Sequence, residues 1–546
     1  MNRTLHAYIS RDLVKVTALA LVAFTLVMTV FAIIEPLRKR GLASGQVASL
    51  FAYTLPMMLS LTVPIAALFA GTIVYGRFSQ DNELTACRAS GISTISLLKS
   101  ALMLGAIVMV ISMVLSNYVA PKMTELLAIS VKANAMGIVA RTLRTQNYIK
   151  KHKTDSRGKV RTQIIHADAV IQRGNRLTLL GVVAAEGKDP QRMRVLAASK
   201  AYAQFTTGDD KTFVAVELVN PVVMQKGGRR IGRAKSQPLF LPVPNPAQEK
   251  PSWYNWNKLM RTRREPAVNS EIRGIMDAMR REMYHDMFHG EVVEAVRSKR
   301  PYDKLRDSQN VYVIRAAGAK RSPDGGAMLT SALKADGTRV AVEVTVLRDG
   351  RTRQVAAADS GMVWVSPNLL SGESLVAIEL TGSVRVVNPG ESPGDATRPP
   401  KWSVGALAIP THVLERGAKV TPADMIEGRP ILGRGLALLP KLKVRIAKLK
   451  AKIRGEIHSR LAFGLSCFLL VGVGAALGLI FKGGQVISAF AISMVPGSAV
   501  IVMIIMGKKM VTNPDVDQTH GIAVIWGGIA ALLLAELIVY ARLSRK

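Results

Sequence analysis

Residues Phe51–Tyr75 read FAYTLPMMLSLTVPIAALFAGTIVY, an apolar run without a single charge. As helix, about 20 such residues rise roughly 30 Å, the thickness of a bilayer's hydrocarbon core. Buried helices of soluble domains rarely sustain so long a run, so the stretch predicts a membrane span. The pattern recurs on both sides. Leu13–Ile34 carries one charge, Lys15, at its edge, and Ala101–Val119 carries none. Far downstream come Leu461–Phe481, Val486–Met506 and Ile522–Tyr540, the last with one acid, Glu536. The fold class predicted is membrane α-helical: six transmembrane helices, three plus three, around a large extracytoplasmic domain. Glu536 is read either as a helix-end residue near the membrane surface or as a polar contact inside the bundle. The first stretch is too long for a signal-peptide core and a second span follows closely. No small-residue cleavage site precedes Arg38-Lys39-Arg40, so it is expected to be retained.

Orientation follows from the short flanks. With the N-terminus inside, the inner segments hold Arg3, Arg11, Lys15, Arg77, Arg88, Lys482, Arg542, Arg545 and Lys546. The outer short loops hold Arg38, Lys39, Arg40, Lys508 and Lys509, nine cations against five. That bias favours cytoplasmic N- and C-termini. The region from about Pro121 to Ile457 then lies outside, since large domains translocate regardless of charge.

This central region reads mainly as β structure. Alternation runs through Val195–Phe205, Phe213–Val219, Val340–Leu347 and Leu375–Val387. Gly208-Asp209-Asp210 and Asp349-Gly350 supply hairpin turns. Pro242, Pro244 and Pro246 break the first group of strands, and Asn388–Lys401 reads as a linker. A polar stretch from Ser270 to Ser298 reads as a helical insert. Its His285 and His289, at i and i+4 beside Glu282, Asp286 and Glu291, have zinc-like spacing. Nothing supplies the rest of a catalytic site, so a solvated helix face is the stronger reading, and no metal is assigned. Before span four, Leu442, Ile446, Leu449, Ile453 and Ile457 form one apolar helix face flanked by Lys441, Arg445, Lys448 and Lys452. This basic connector is either solvated against the β domain or laid on the membrane surface. The boundaries are therefore 1–120 for spans one to three, 121–440 for the β domain, 441–457 for the connector and 458–546 for spans four to six.

Lys plus Arg number 73 against 38 acids, a net charge of +35. With six spans, acidic lipid is a better partner for such a charge than nucleic acid, which is not expected. The two cysteines, Cys87 and Cys467, are too far apart in the chain's threading for a disulfide framework. No G-x-x-x-x-G-K-[ST] loop, H-E-x-x-H or G-x-S-x-G occurs, so no enzyme activity and no cofactor is predicted.

The loop between spans two and three reads Asp81-Asn82-Glu83-Leu84-Thr-Ala-Cys87-Arg88-Ala89-Ser-Gly91-Ile-Ser93. Asp81 and Glu83 are placed in the first turn of a short helix within 79–92, where the dipole favours acids, and Gly91 ends it. A polar helix between two spans is well placed to dock a soluble partner. This segment closely resembles the coupling helix of the LptF/LptG permeases, the membrane subunits of the lipopolysaccharide export ABC transporter. The resemblance continues in Tyr8-Ile-Ser-Arg-Asp-Leu13 and in Ala120-Pro121 closing span three. It resumes in Glu456-Ile-His-Ser-Arg-Leu-Ala462 and in Gly478-Leu-Ile-Phe-Lys-Gly-Gly484.

The resemblance implies a periplasmic jellyroll-like β domain and no ATP hydrolysis by this chain itself. It implies as partners a cytosolic ABC ATPase subunit, a second LptF/LptG-type permease, a periplasmic bridge protein, and lipopolysaccharide or another anionic glycolipid. It implies a multi-pass location in the cell inner membrane. Asp81, Asn82, Glu83, Leu84, Cys87, Arg88, Ala89 and Gly91 would form the ATPase-coupling helix, with Glu83 as the coupling acid. Arg38, Lys39 and Arg40 would meet the lipid headgroup. The central region is larger than is usual in this family, which points either to added strands and a helical insert or to two β modules. A membrane-anchored sensor or assembly scaffold with a ligand-binding β domain is the alternative function. Six spans are more than such an anchor needs.

Overall fold

In the computed structural model, six helices among the described residues have the length and composition to cross a membrane: Thr4–Ile34, Leu50–Gln80, Thr94–Leu127, Leu436–Ile480, Ser488–Thr512 and Gln518–Leu543. A β-rich region lies between the third and the fourth. The structure describes residues 2–40, 44–133, 140, 143–154, 160–173, 176–187, 194–207, 212–219, 222–225, 229–233, 239–242, 250–322, 325–333, 339–367, 374–389, 396–428, 433–481, 486–513 and 515–545. Two compact units emerge, Met1–Pro266 with Ala447–Lys546, and Ala267–Ile446.

In the first unit the spans pack through small residues. A Cβ on Gly474 would stand 2.7 Å from the Leu68 carbonyl oxygen, and one on Gly478 would stand 2.7 Å from that of Thr72. Only glycine lets spans two and four approach so closely. At one end of this contact Ser79 Oγ donates to the Leu479 carbonyl at 3.2 Å. Spans one and two are joined by the Thr25 and Thr62 hydroxyls, 2.7 Å apart.

Ala120-Pro121 does not close span three. The helix Thr94–Val114 passes into a π turn, Leu115–Val119, and continues as Ala120–Ala133. Proline lacks an N–H and collides with the carbonyl four residues back, which normally stops a helix. Here the Ala120 N–H has already moved to the Leu115 carbonyl. The wider register makes room for the ring.

The same unit holds an antiparallel sheet. Its described strands are β1 (Tyr148–Thr154), β2 (Val160–His166), β3 (Ala169–Arg173), β4 (Arg176–Gly187), β5 (Arg194–Thr207), β6 (Thr212–Val219), β7 (Val222–Gln225), β8 (Arg229–Arg233) and β9 (Leu239–Pro242). The order is β1-β2-β4-β5-β6-β9, with β3 on β4 and β7 between β5 and β8. The alternating runs Val195–Phe205 and Phe213–Val219 fall in β5 and β6 and pair with each other. The turn at 208–210, like Pro244 and Pro246, lies outside the described residues.

Among the described residues, the second unit has two five-stranded sheets. One runs β10 (Tyr302–Arg306), β11 (Asn310–Arg315), β16 (Val342–Arg348), β17 (Arg351–Ala358), β20 (Arg385–Val387). The other runs β12 (Gly318–Arg321), β13 (Gly326–Thr330), β18 (Ser360–Pro367), β19 (Ser374–Thr381), β21 (Lys401–Ala408). A short pair, β14 (Ala332–Leu333) and β15 (Arg339–Val340), stands apart. Asp349 and Gly350 join β16 to β17 with φ of 51° and 76°. Positive φ at both central positions is what a tight hairpin of this hand requires.

The stretch from Ser270, read as a helical insert, packs into a core. It forms the helix Ser270–Arg297, whose Phe288, Val292, Val293 and Val296 share one core with Leu305, Ile314, Leu329, Val344, Val363 and Ile378 of the two sheets. Asn269 caps it, accepting from the Glu271 and Ile272 N–H groups. The helix Leu439–Ile480 runs unbroken through the basic connector into span four, with Leu442, Ile446, Leu449, Ile453 and Ile457 all buried. The connector's apolar face is therefore buried.

Candidate functional site

Span two ends with the helix Ser44–Gln80, and the Asp81 N–H donates back to the Arg77 carbonyl at 2.9 Å. Asn82 turns the chain at φ 57°, a left-handed conformation asparagine tolerates well. A seven-residue helix, Glu83–Ala89, follows. Asp81 thus stands before this helix, and Glu83 alone supplies the acid of its first turn. Leu84 is buried among the spans, while Thr85, Ala86 and Ala89 are exposed. Gly91 at φ +78° and the bond from the Ile92 N–H to the Cys87 carbonyl end the turn. Arg88 does not reach outward: its Nε donates to Thr94 Oγ1 at 3.1 Å and braces the loop.

Glu83 borders a cleft of about 260 Å³ shared with the start of span one, lined also by Tyr8, Asp12, Lys15, Arg77 and Asp81. Three carboxylates against two cations leave this mouth acidic. Partial burial, with Glu83 adding, raises the pKa of the Cys87 thiol. Cys87 and Cys467 are both free thiols.

The helix of span one continues through Arg40, so Arg38, Lys39 and Arg40 form its last turn. Their side chains lie outside the described residues.

A second constellation, which the sequence reading did not assemble, sits at the other end of the bundle. On the helix of span four, Arg460 Nε donates to Glu456 Oε1 at 3.2 Å, both side chains being almost wholly buried. The Lys508 ammonium of span five pairs with Glu456 Oε2. Arg460 Nη1 donates to the Tyr254 carbonyl at 2.9 Å, and Nη2 to that of Ser252 at 3.1 Å. Nη1 also reaches Asn117 Oδ1 at 3.4 Å, on the π turn of span three. One guanidinium thus ties three chain segments, Asn117 being buried on the π turn. The spacing of Glu456 and Arg460, four apart, was the visible signal. Lys508, from another helix, could not be paired with them by spacing.

Glu536 lies inside the bundle, 4% exposed, with its carboxylate over Gly472, where a Cβ would collide with it. It is a bundle contact and not a helix-end residue. His285 Nε2 meets Ser374 Oγ at 2.9 Å, and His289 is buried. Their helix face is not solvated, and among the described residues no group of three or more His, Cys, Asp or Glu could hold a metal ion.

Residues 7–215 match the model of the family described as lipopolysaccharide export system permease LptF/LptG. The match takes in spans one to three, the Glu83–Ala89 helix and the sheet as far as β6. No curated protein matches the chain. Together with the family match over residues 7–215, the six apolar helices among the described residues indicate a multi-pass protein of the inner membrane.

Proposed function

We propose, from the membership of residues 7–215 in the LptF/LptG permease family, that this chain is the permease subunit of an ABC transporter. It would extract lipopolysaccharide, or a related anionic glycolipid, from the inner membrane and pass it to a periplasmic bridge protein. Permeases of this family are transporter components, not enzymes, so ATP hydrolysis falls to a separate cytosolic subunit. The observation that carries the reading is the Glu83–Ala89 helix. It is anchored by Leu84 and braced by Arg88, yet shows Thr85, Ala86 and Ala89 to solvent beside an acidic cleft. A partner with a complementary cation can dock there, with Glu83 as the charge it meets.

In this reading both termini are cytoplasmic and the β structure is periplasmic. Movement of the docked ATPase pulls on the end of span two. The close glycine contacts at Gly474 and Gly478 pass that displacement to span four, since packed interiors do not absorb it by compression. Each acyl CH₂ drawn from the bilayer costs about 0.8 kcal/mol, so an external energy source is required. Spans one, five and six are buried over only 22%, 28% and 28% of their apolar windows, against 72% for span four. Those open faces suit lipid and a second LptF/LptG-type permease. Arg38, Lys39 and Arg40 at the outer end of span one would meet the lipid's phosphates.

The test is purification from membranes in mild detergent. A stoichiometric nucleotide-binding subunit is expected with the native chain, and Glu83→Ala should lose it or leave its ATPase activity insensitive to lipid. Losing one half of such a pair costs roughly 2–5 kcal/mol. Normal binding and normal lipid export by Glu83→Ala would remove the proposed role of Glu83.

A further inference from the structure

The second unit holds a charged pocket outside the family match. It encloses about 360 Å³, and its titratable lining is Asp286, His289, Arg321 and Arg434. That volume is at the lower end of small-molecule sites, roughly 300–1,000 Å³, and exceeds what a bare ion needs. Arg321 Nη2 donates to the Asp286 carbonyl at 3.3 Å, and the Arg434 backbone N–H donates to Asp286 Oδ2 at 3.2 Å. Asp286 therefore holds the Arg321 guanidinium through its carbonyl and the Arg434 backbone through its carboxylate.

Three glycines make space for these side chains. A Cβ on Gly290 would stand 2.9 Å from Arg321 Nη2, while one on Gly325 would collide with Arg434 and one on Gly433 with Asp286. His289 is 4% exposed, and its Nε2 has no hydrogen-bond partner among the described residues. A buried polar atom left unmatched is costly, and a ligand atom would satisfy it. Burial, with His285 and the two arginines adding, lowers its pKa to about 4, so the imidazole is neutral near pH 7 and donates from Nε2 in its Nε2–H tautomer.

Among the described lining residues, two guanidiniums against one carboxylate give a net positive charge. That balance repels a metal ion and suits an oxyanion, whose geometry the guanidinium fork matches. We propose that this pocket binds the phosphate group of a small phosphorylated ligand, a sugar phosphate or a phosphorylated glycolipid headgroup, between Arg321 and Arg434 with His289 Nε2 as a further donor. The chain would then carry a receptor site for phosphate esters in its second unit, whichever lipid the spans handle.

Titration calorimetry on the full chain in nanodiscs tests this with glucose 6-phosphate, inorganic phosphate and glucose. Glucose 6-phosphate should bind at one site with a Kd below about 1 mM, weakening at least about tenfold in Arg321→Gln and in Arg434→Gln, and glucose should not bind. Should either variant fail to fold, the native chain still decides, because raised salt must weaken a charge-held ligand. Competition by lipopolysaccharide added to the nanodiscs would identify a headgroup as the source, and binding without competition a soluble ester. The proposal is overturned if neither phosphate probe binds by about 10 mM, if glucose binds equally well, or if both arginine variants keep the native affinity.

Discussion

Arg460 and Glu456 stand one helical turn apart on span four, nearly out of solvent, with Nε donating to Oε1 at 3.2 Å. Lys508 shares the same carboxylate. Two cations therefore depend on one acid. Glu456→Gln should lower thermal stability in detergent by about 3–5 kcal/mol, because breaking a buried ion cluster leaves an uncompensated charge. Adding Lys508→Met should recover part of that loss. An unchanged Tm for Glu456→Gln would show the cluster to be solvated.

Phe288 is fully buried and meets Tyr302 edge to face at 6.0 Å between ring centroids. Phe288→Ala should destabilise the second unit by about 3–5 kcal/mol, read by limited proteolysis across a denaturant series. Deleting residues 270–298 should expose both sheets to protease. Survival of protected sheets after the deletion would restore the view of this helix as an insert.

The six spans were legible because each apolar run alone satisfies the bilayer's length requirement. The ends were less so. Span three runs through Pro121 because a π turn absorbs the ring, and nothing local in Leu115–Val119 announces that register change. The hairpin at Asp349-Gly350 was readable from two residues, since few others accept positive φ twice. The Ser270–Arg297 helix misled through its charges. Ile272, Met276, Met279 and Met283 recur at spacings of four, three and four, and that stripe, not the net polarity, told which face is buried. At the site, Glu83 and its loop could be read because they are contiguous in sequence. The cluster on Arg460 joins residues as far apart as Asn117 and Lys508, which no spacing rule connects.

Cys87 should label slowly with maleimide at neutral pH. Its pKa is raised by burial and by Glu83, so it holds less thiolate at a given pH than a free cysteine, whose ordinary value is 9.0. The rate should climb steeply as pH rises toward and past that value. Glu83→Gln should quicken it modestly, and Cys467, buried in span four, should stay silent. A rate at pH 7 equal to that of an exposed model thiol would contradict the packing of this loop.

Acid should weaken the second unit through His289. In the folded chain its pKa is lowered from 6.5 to about 4, chiefly by burial. Between these values the unfolded chain binds a proton that the folded chain refuses, so stability falls as pH drops from about 6.5 toward 4. His285 is shifted the same way by burial and adds to the slope. Asp286 opposes it: burial raises its pKa, so its folded carboxyl takes up a proton earlier than the unfolded one and gains stability on acidification. The net slope therefore mixes three groups, and a substitution separates them. His289→Gln keeps a polar side chain of similar reach but cannot titrate. Denaturant unfolding of the second unit, followed by proteolysis at pH 7, 6 and 5, should show a smaller loss of stability in His289→Gln than in the native chain. Equal pH dependence in the two would mean that His289 is protonated in the folded protein, and that its pocket admits water.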